Sequence, residues 1–268
     1  MRRRLVPMFV LVVVLAVVAP RAWGQFLSDE ERKGMFTVSL AYSTRDYDLG
    51  FTGASVPITE LDEVLEQFAV GEQLDSLELT VAWVSFGYVE LRATLGLADY
   101  ELTQTHSTDS GFDTVLSSSD SLIYGVSAIM RYPVTDELLL AVELAFLTGN
   151  FDDVEGEASQ LDVVPTLVST INDIDWRELS VTPMVQYRLG SFLPYAGVRF
   201  TNVETEVNTT QEVTFSDETF ERVLNYETTD DLSAVVGLTW RITPLVMADF
   251  QAQLFNNERF TVGVKLTF

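Results

Sequence analysis

The chain has 268 residues, no cysteine, and 40 acidic against 16 basic side chains, which gives a net charge of −24. The absence of cysteine excludes disulfides and thiolate chemistry. The negative charge argues against nucleic acid as a partner, because nothing would neutralise the phosphates.

Residues 1–24 have the pattern of a secretory signal peptide. Three arginines at positions 2–4 precede an apolar core at 9–19, and Ala22 and Gly24 provide the small residues for cleavage before Gln25. The apolar core is shorter than the ~20 residues of a transmembrane helix, although an uncleaved anchor helix is the alternative. Cleavage would remove four arginines and leave a net charge of −28. We therefore divide the chain into a signal peptide at 1–24, a short polar segment at 25–33 and a β domain at 34–268.

The β domain shows period-two alternation of apolar and polar residues. In the last stretch, Phe260, Val262 and Val264 fall on one face, whereas Gly263 and Lys265 fall on the other. Such alternation is typical of a strand with one apolar face. The pattern predicts ten strands, at residues 34–44, 75–85, 89–104, 120–132, 137–150, 174–189, 193–207, 230–242, 246–255 and 259–268. Pro183 interrupts the sixth and indicates a bulge or a weaker strand.

The connections between these strands alternate in length. Long connections are predicted at 45–74, 105–119, 151–173 and 208–229, and short turns lie between them, for example at 133–136. The first long connection contains a predicted amphipathic helix at 59–68, with Leu61, Val64, Leu65 and Phe68 on one face. We expect this helix to lie over one end of the β domain. A plug or a partner-binding helix is the alternative.

The signal peptide, the repeated alternation and the final Phe268 together resemble bacterial outer-membrane β-barrel proteins, in particular small barrels of the OmpA and OmpW kind. The resemblance implies an antiparallel up-and-down transmembrane β-barrel of about ten strands, with eight or twelve as alternatives. Long loops would lie outside the cell, and short turns and residues 25–33 would lie in the periplasm. No later stretch approaches the length of a transmembrane helix, and among spanning structures this leaves a closed barrel.

The same resemblance implies a location and partners. The protein would lie in the bacterial outer membrane as a monomer, without a cofactor, in contact with membrane lipids and lipopolysaccharide. In this class of proteins the terminal aromatic residue, here Phe268, is read by the barrel-assembly machinery.

Charged residues identify which face of the strands is the interior. A Lys or Arg at the lipid midplane costs ~2–4 kcal/mol, and an apolar soluble core of the lipocalin kind would reject these charges equally. We therefore predict a salt-bridge network that fills the lumen, and a narrow channel for small solutes is the alternative. The predicted lumen residues are Glu90, Arg92, Arg131, Glu143, Arg188, Arg199, Arg241, Asp249 and Lys265.

Two further groups could carry chemistry. Asp152, Asp153, Glu155 and Glu157 could bind Ca²⁺, since hard cations prefer clustered carboxylates, but a solvated acidic rim is the alternative and no metal site is firmly predicted. His106 has Ser107 and Asp109 beside it in sequence, whereas a catalytic triad needs partners that converge in space.

No motif of the ten-stranded omptin proteases is visible, so we do not expect an enzyme. The sequence therefore predicts a surface or structural barrel, with a narrow channel as the alternative and a hydrolase as the third possibility.

Overall fold

The computed structural model describes residues 35–56, 65–66, 68–85, 88–106, 113–152, 154–157, 167–213, 219–229, 231–255 and 257–268. The predicted signal peptide and residues 25–33 lie outside these ranges. The strands are β1 (Phe36–Ala54), β2 (Phe68–Val84), β3 (Val89–His106), β4 (Asp113–Pro133), β5 (Leu138–Phe151), β6 (Glu155–Glu157), β7 (Leu167–Tyr187), β8 (Phe192–Val213), β9 (Thr219–Thr228), β10 (Leu232–Arg241), β11 (Val246–Leu254) and β12 (Glu258–Thr267). Among the described residues no helix is long and apolar enough to cross a bilayer.

The strands close into an antiparallel barrel, which confirms the predicted fold class. Each strand pairs with its neighbour in the chain from β1 to β5, then β5 pairs with β7 and β7 with β8. The lower half of β8 pairs with β10, and β10, β11 and β12 follow in order until β12 pairs with β1. Ten strands therefore form the ring that carries the apolar outer face, as the alternation predicted.

A second ring lies above the first. The upper half of β8 pairs with β9, and β9 pairs with the upper part of β1, from Leu49 to Ala54. This ring contains eight strands, because the hairpin of β11 and β12 ends below it. Asn257, at the tip of that hairpin, is fully buried.

The outer face of the lower ring is an apolar belt. Large aliphatic and aromatic side chains alternate with lumen residues for about nine residues on each strand, close to the length that a membrane-spanning strand requires. Representative members are Leu79, Leu95, Val126, Leu144 and Phe200, all exposed on the protein surface. Above this belt the same face becomes polar and acidic.

The predicted long loops are wrong in extent. Residues 45–54 and 68–74 belong to β1 and β2, residues 113–119 to β4, residues 167–173 to β7, and residues 208–213 and 219–228 to β8 and β9. Where the side chains of these segments are described, Tyr47, Leu49 and Leu74 are buried inside, whereas Asp46 and Asp48 are exposed outside, the reverse of the belt. Their polar outer residues gave the segments the composition of loops. The predicted helix at 59–68 falls mostly outside the described residues, and Phe68 lies in β2.

Candidate functional site

The lower lumen holds a network of ion pairs, here called the lower network. Glu90 accepts from Arg92 Nε at 2.7 Å and from Arg131 at 2.9 Å. Glu143 bridges Arg92 at 3.2 Å and Arg199 at 3.3 Å. These side chains come from β3, β4, β5 and β8, so the network joins the walls of the barrel across its axis.

The other predicted lumen residues lie near this network, with one exception. Lys265 pairs with Asp249 at 3.2 Å. Arg241 is buried at the end of the barrel that carries the short turns, where it donates to the backbone carbonyls of Thr243 and Pro244. Arg188 is the exception: it follows the end of β7, and its guanidinium donates to the Asp136 carbonyl in the neighbouring turn at 3.3 Å. Its placement in the lumen stays a prediction.

A second group of charges, the upper network, lies one level higher. Glu178 accepts from Arg259 at 3.3 Å and from the Tyr47 hydroxyl at 2.8 Å, and lies 3.4 Å from Arg45 Nε. Arg45 also pairs with Glu78, and its guanidinium is fully buried.

Sequence reasoning missed all four charged members of the upper network. Glu78 lies between the outward residues Leu77 and Leu79, and Glu178 lies between the outward residues Arg177 and Leu179. Period-two alternation could therefore have identified both glutamates as lumen residues. Arg45 was assigned to a loop. Arg259 was included in the last strand, but its charge was not assigned to the lumen.

The two networks line a cavity of about 140 Å³, and a smaller cavity of about 80 Å³ lies at the end of the barrel with the short turns. Bases and acids are mixed along both. The described lumen charges are Arg45, Arg92, Arg131, Arg199, Arg241, Arg259 and Lys265 against Glu78, Glu90, Glu143, Glu178 and Asp249. The lining of these two cavities is therefore polar and of mixed sign, with seven basic against five acidic side chains.

Above the upper network, the interior changes to an apolar core, here called the outer core. It consists of buried side chains from β1–β5 and β7–β9, and from Leu65. Leu74, Leu102, Ile174 and Trp176 have no exposed surface, and the rings of Tyr100 and Phe151 stack at 4.4 Å. Close packing of this kind leaves few voids larger than a water molecule. The upper ring is therefore built like a soluble barrel, apolar inside and polar outside.

Glu72 is the one acid that the described part of the outer core contains. Its Oε2 accepts from the Thr205 hydroxyl at 2.7 Å and from the Tyr100 hydroxyl at 3.2 Å, and the residue is 2% exposed. Burial raises the pKa of Glu72 to about 7, although these two hydroxyls offset part of the desolvation. A carboxyl group at this position is therefore largely protonated in mildly acidic conditions.

The outer surface above the belt is acidic. Asp46 lies directly opposite Glu258, and Asp75 lies directly opposite Asp99. Burial raises the pKa of Asp46, with further contributions from the charges of Asp75 and Glu258. Other outward acids in this region are Asp48, Glu101, Asp175, Glu204, Glu206 and Glu227.

The predicted cation group and the lone histidine remain predictions. Asp152 is exposed, Asp153 lies outside the described residues, and Glu155 and Glu157 belong to β6, which pairs with β4. The side chains of β6 and of His106 are not described. Within the described ranges, no three acidic or histidine side chains converge closely enough to cage a metal ion.

No protein-family model and no curated protein sequence matches the chain. Its fold is similar to that of the outer membrane protein OprG from Pseudomonas aeruginosa, with 10% identity, a TM-score of 0.50, and 88% of this chain and 97% of that chain covered. The outer membrane protease OmpT from Escherichia coli matches with 8% identity and a TM-score of 0.44 over 88% of this chain and 97% of its own. Neisserial surface protein A matches with 12% identity and a TM-score of 0.34, over 88% of this chain and 100% of its own. At these identities the likeness concerns the fold, which is that of bacterial outer-membrane barrels.

Proposed function

We propose that this chain is an outer-membrane barrel that is closed to solutes and serves as a surface or structural protein. The outer core is the observation that carries the proposal. A solute that entered the cavities of the lower ring would have to pass Leu74, Leu102 and Trp176, which are fully buried in the outer core. An ion in such apolar surroundings loses its hydration without compensation.

The two salt-bridge networks support the same conclusion. Their charges pair across the lumen, so they stiffen the barrel from within. Because the networks and the outer core fill the interior, the outer surface of the upper ring is the part of the molecule that is available for contact with the surroundings. That ring presents an acidic outer surface carried on long, paired strands.

Single-channel recording of the refolded protein in a planar bilayer tests this proposal. We expect no discrete conductance steps, with folding verified by heat-modifiable migration on a gel. Reproducible steps in the wild-type protein would contradict the closed barrel.

A narrow channel is the second candidate, because the charged cavities reach the periplasmic end. If the wild-type protein conducts, the ion selectivity should change in Arg199→Gln, whose guanidinium lines the larger cavity. An unchanged selectivity would place the conducting path outside the lumen.

A further inference from the structure

The smaller cavity of the lumen carries an excess of positive charge. Its lining contains one acid, Glu90, and four bases, which are Arg92, Arg131, Arg241 and Lys265. The lining of the larger cavity is balanced, with five bases against five acids. The two linings differ because Arg131 and Arg241 belong to the smaller cavity only. The surplus of two positive charges among the described lumen residues is therefore located at the end of the barrel with the short turns.

The pairing within the lower network accounts for the first of these charges. Glu90 is shared by Arg92 and Arg131, at 2.7 Å and 2.9 Å. Glu143 is likewise shared by Arg92 and Arg199, at 3.2 Å and 3.3 Å. Two carboxylates thus hold three guanidinium groups in place. This sharing orients the arginines and leaves the network with one positive charge more than it has negative charges.

Arg241 contributes the second charge. Its Nε and Nη2 atoms donate to the carbonyls of Thr243 and Pro244 at 3.3 Å and 3.2 Å. These carbonyls orient the guanidinium but carry no net charge. Arg241 is 5% exposed and Arg131 is 8% exposed, in a part of the barrel that the apolar belt surrounds. Charges withdrawn from water in this way are costly unless counter-charges lie close to them.

The smaller cavity has the size and the donors that a small anion needs. Its volume of about 80 Å³ exceeds the ~30 Å³ that one water molecule occupies in the liquid. Thr37, Thr239 and Thr267 add hydroxyl groups to its lining. Guanidinium groups are well suited to oxyanions, because their planar N–H groups donate in parallel to two oxygens.

We propose that the smaller cavity is a binding site for one tetrahedral dianion of the phosphate or sulfate class. Arg131 and Arg241 would donate to its oxygens, and Lys265 would add a third positive charge to the site. A dianion would match the surplus of two charges, whereas chloride would match half of it. The ligand would enter from the short-turn end, because the outer core occupies the opposite end. The proposal goes beyond the closed barrel and does not depend on it.

Calorimetric titration of inorganic phosphate into the refolded protein tests the proposal, in a non-ionic detergent at pH 7.5. An ionic strength of about 0.1 M limits the reach of the negative outer surface to roughly 10 Å. We expect saturable binding of one phosphate per chain. Arg241→Gln keeps a donor for the neighbouring carbonyls, and it should weaken the affinity about ten-fold or more. Lys265→Gln, at a less buried position, should also weaken it. Arg259→Gln is the matched control: it removes a base that lines the larger cavity only, and it should leave the affinity unchanged.

Thermal unfolding provides a second measurement. Phosphate should raise the Tm of the wild-type protein more than chloride does at the same ionic strength. Phosphate also stabilises folded proteins by exclusion from their surface, and this general effect should be the same in Arg241→Gln. The variant should therefore show a smaller difference between the two salts than the wild type.

Two results would overturn the proposal. Heats that do not saturate in the wild type would show that the cavity holds no phosphate. Equal weakening by Arg241→Gln and Arg259→Gln would indicate that the anion responds to the total charge of the lumen and has no site. Single-channel currents, in contrast, would contradict the closed barrel and leave this titration unchanged, so the two failures can be told apart.

Discussion

The buried carboxyl group of Glu72 makes the stability of the upper ring depend on pH. Its pKa rises from an ordinary 4.5 to about 7 on folding, because the outer core desolvates the charged form. The folded state therefore holds a proton more tightly than the unfolded state. The stabilisation is fully present below pH 4.5 and is lost as the pH rises through 7.

Replacing Glu72 with Gln should remove this pH dependence. A shift of one pKa unit corresponds to ~1.4 kcal/mol, so the shift from 4.5 to about 7 corresponds to about 3 kcal/mol. Glutamine keeps the size of the side chain and an oxygen that can accept from Tyr100 and Thr205. We expect Glu72→Gln to gain about 3 kcal/mol relative to the wild type between pH 4 and pH 9.

The assay is denaturant unfolding of the protein in lipid vesicles at several pH values between 4 and 9. Many surface carboxylates also titrate in this range, so the informative quantity is the difference between wild type and variant at each pH. Glu206→Gln, which alters an outer-face glutamate of the upper ring, is the control and should leave the pH profile nearly parallel to the wild type. Parallel wild-type and Glu72→Gln profiles would refute the reasoning, because they would show that Glu72 titrates normally in the fold.

Two other substitutions test the interior. Glu178→Ala should cost about 3–5 kcal/mol of unfolding free energy, because it leaves the fully buried Arg45 with one carboxylate fewer; denaturant unfolding measures this, and a loss below 1 kcal/mol would contradict the role of the upper network. Gly237→Val should destabilise the barrel by about 1–3 kcal/mol, because the ring of Tyr195 lies 2.1 Å from where a Cβ atom would be. Gly71→Ala, at an open position on the outer face, is its control and should be nearly neutral in the same thermal or chemical unfolding assay.

The ten-stranded ring at the level of the apolar belt was predictable from the sequence. Lipid requires apolar side chains on the outer face of each strand, and this gives a period-two pattern. Leu77, Leu79 and Val81 alternate with smaller or polar residues, and the structure places them on the outside of the barrel. The same rule located Glu90 and Arg131 in the lumen. It needed nothing beyond period two and the cost of a charge in lipid.

Above the belt that rule reverses, and this is where the prediction failed. Tyr47 and Leu49 face inward, whereas Asp46 and Asp48 face water, so the segment alternates correctly but in the opposite sense. The sequence analysis expected apolar residues on the outside, and it therefore assigned this part of β1 to a loop. The closure of β9 onto β1 is a contact between residues far apart in the chain, and no local pattern in either segment specifies it.

The change from ten strands to eight gives β1 two different partners on the same edge. From Thr37 to Asp46 that edge is hydrogen-bonded to β12, and from Leu49 to Ala54 it is hydrogen-bonded to β9. The ring above the belt is thus complete without any residue after 228, whereas the ring at the belt needs β10, β11 and β12, at residues 232–267. The C-terminal hairpin can therefore separate from β1 while the upper ring stays closed. In hydrogen exchange the two parts of β1 should then open as separate units. The opening free energy of residues 37–46 should depend on their pairing with β12, and that of residues 49–54 on their pairing with β9.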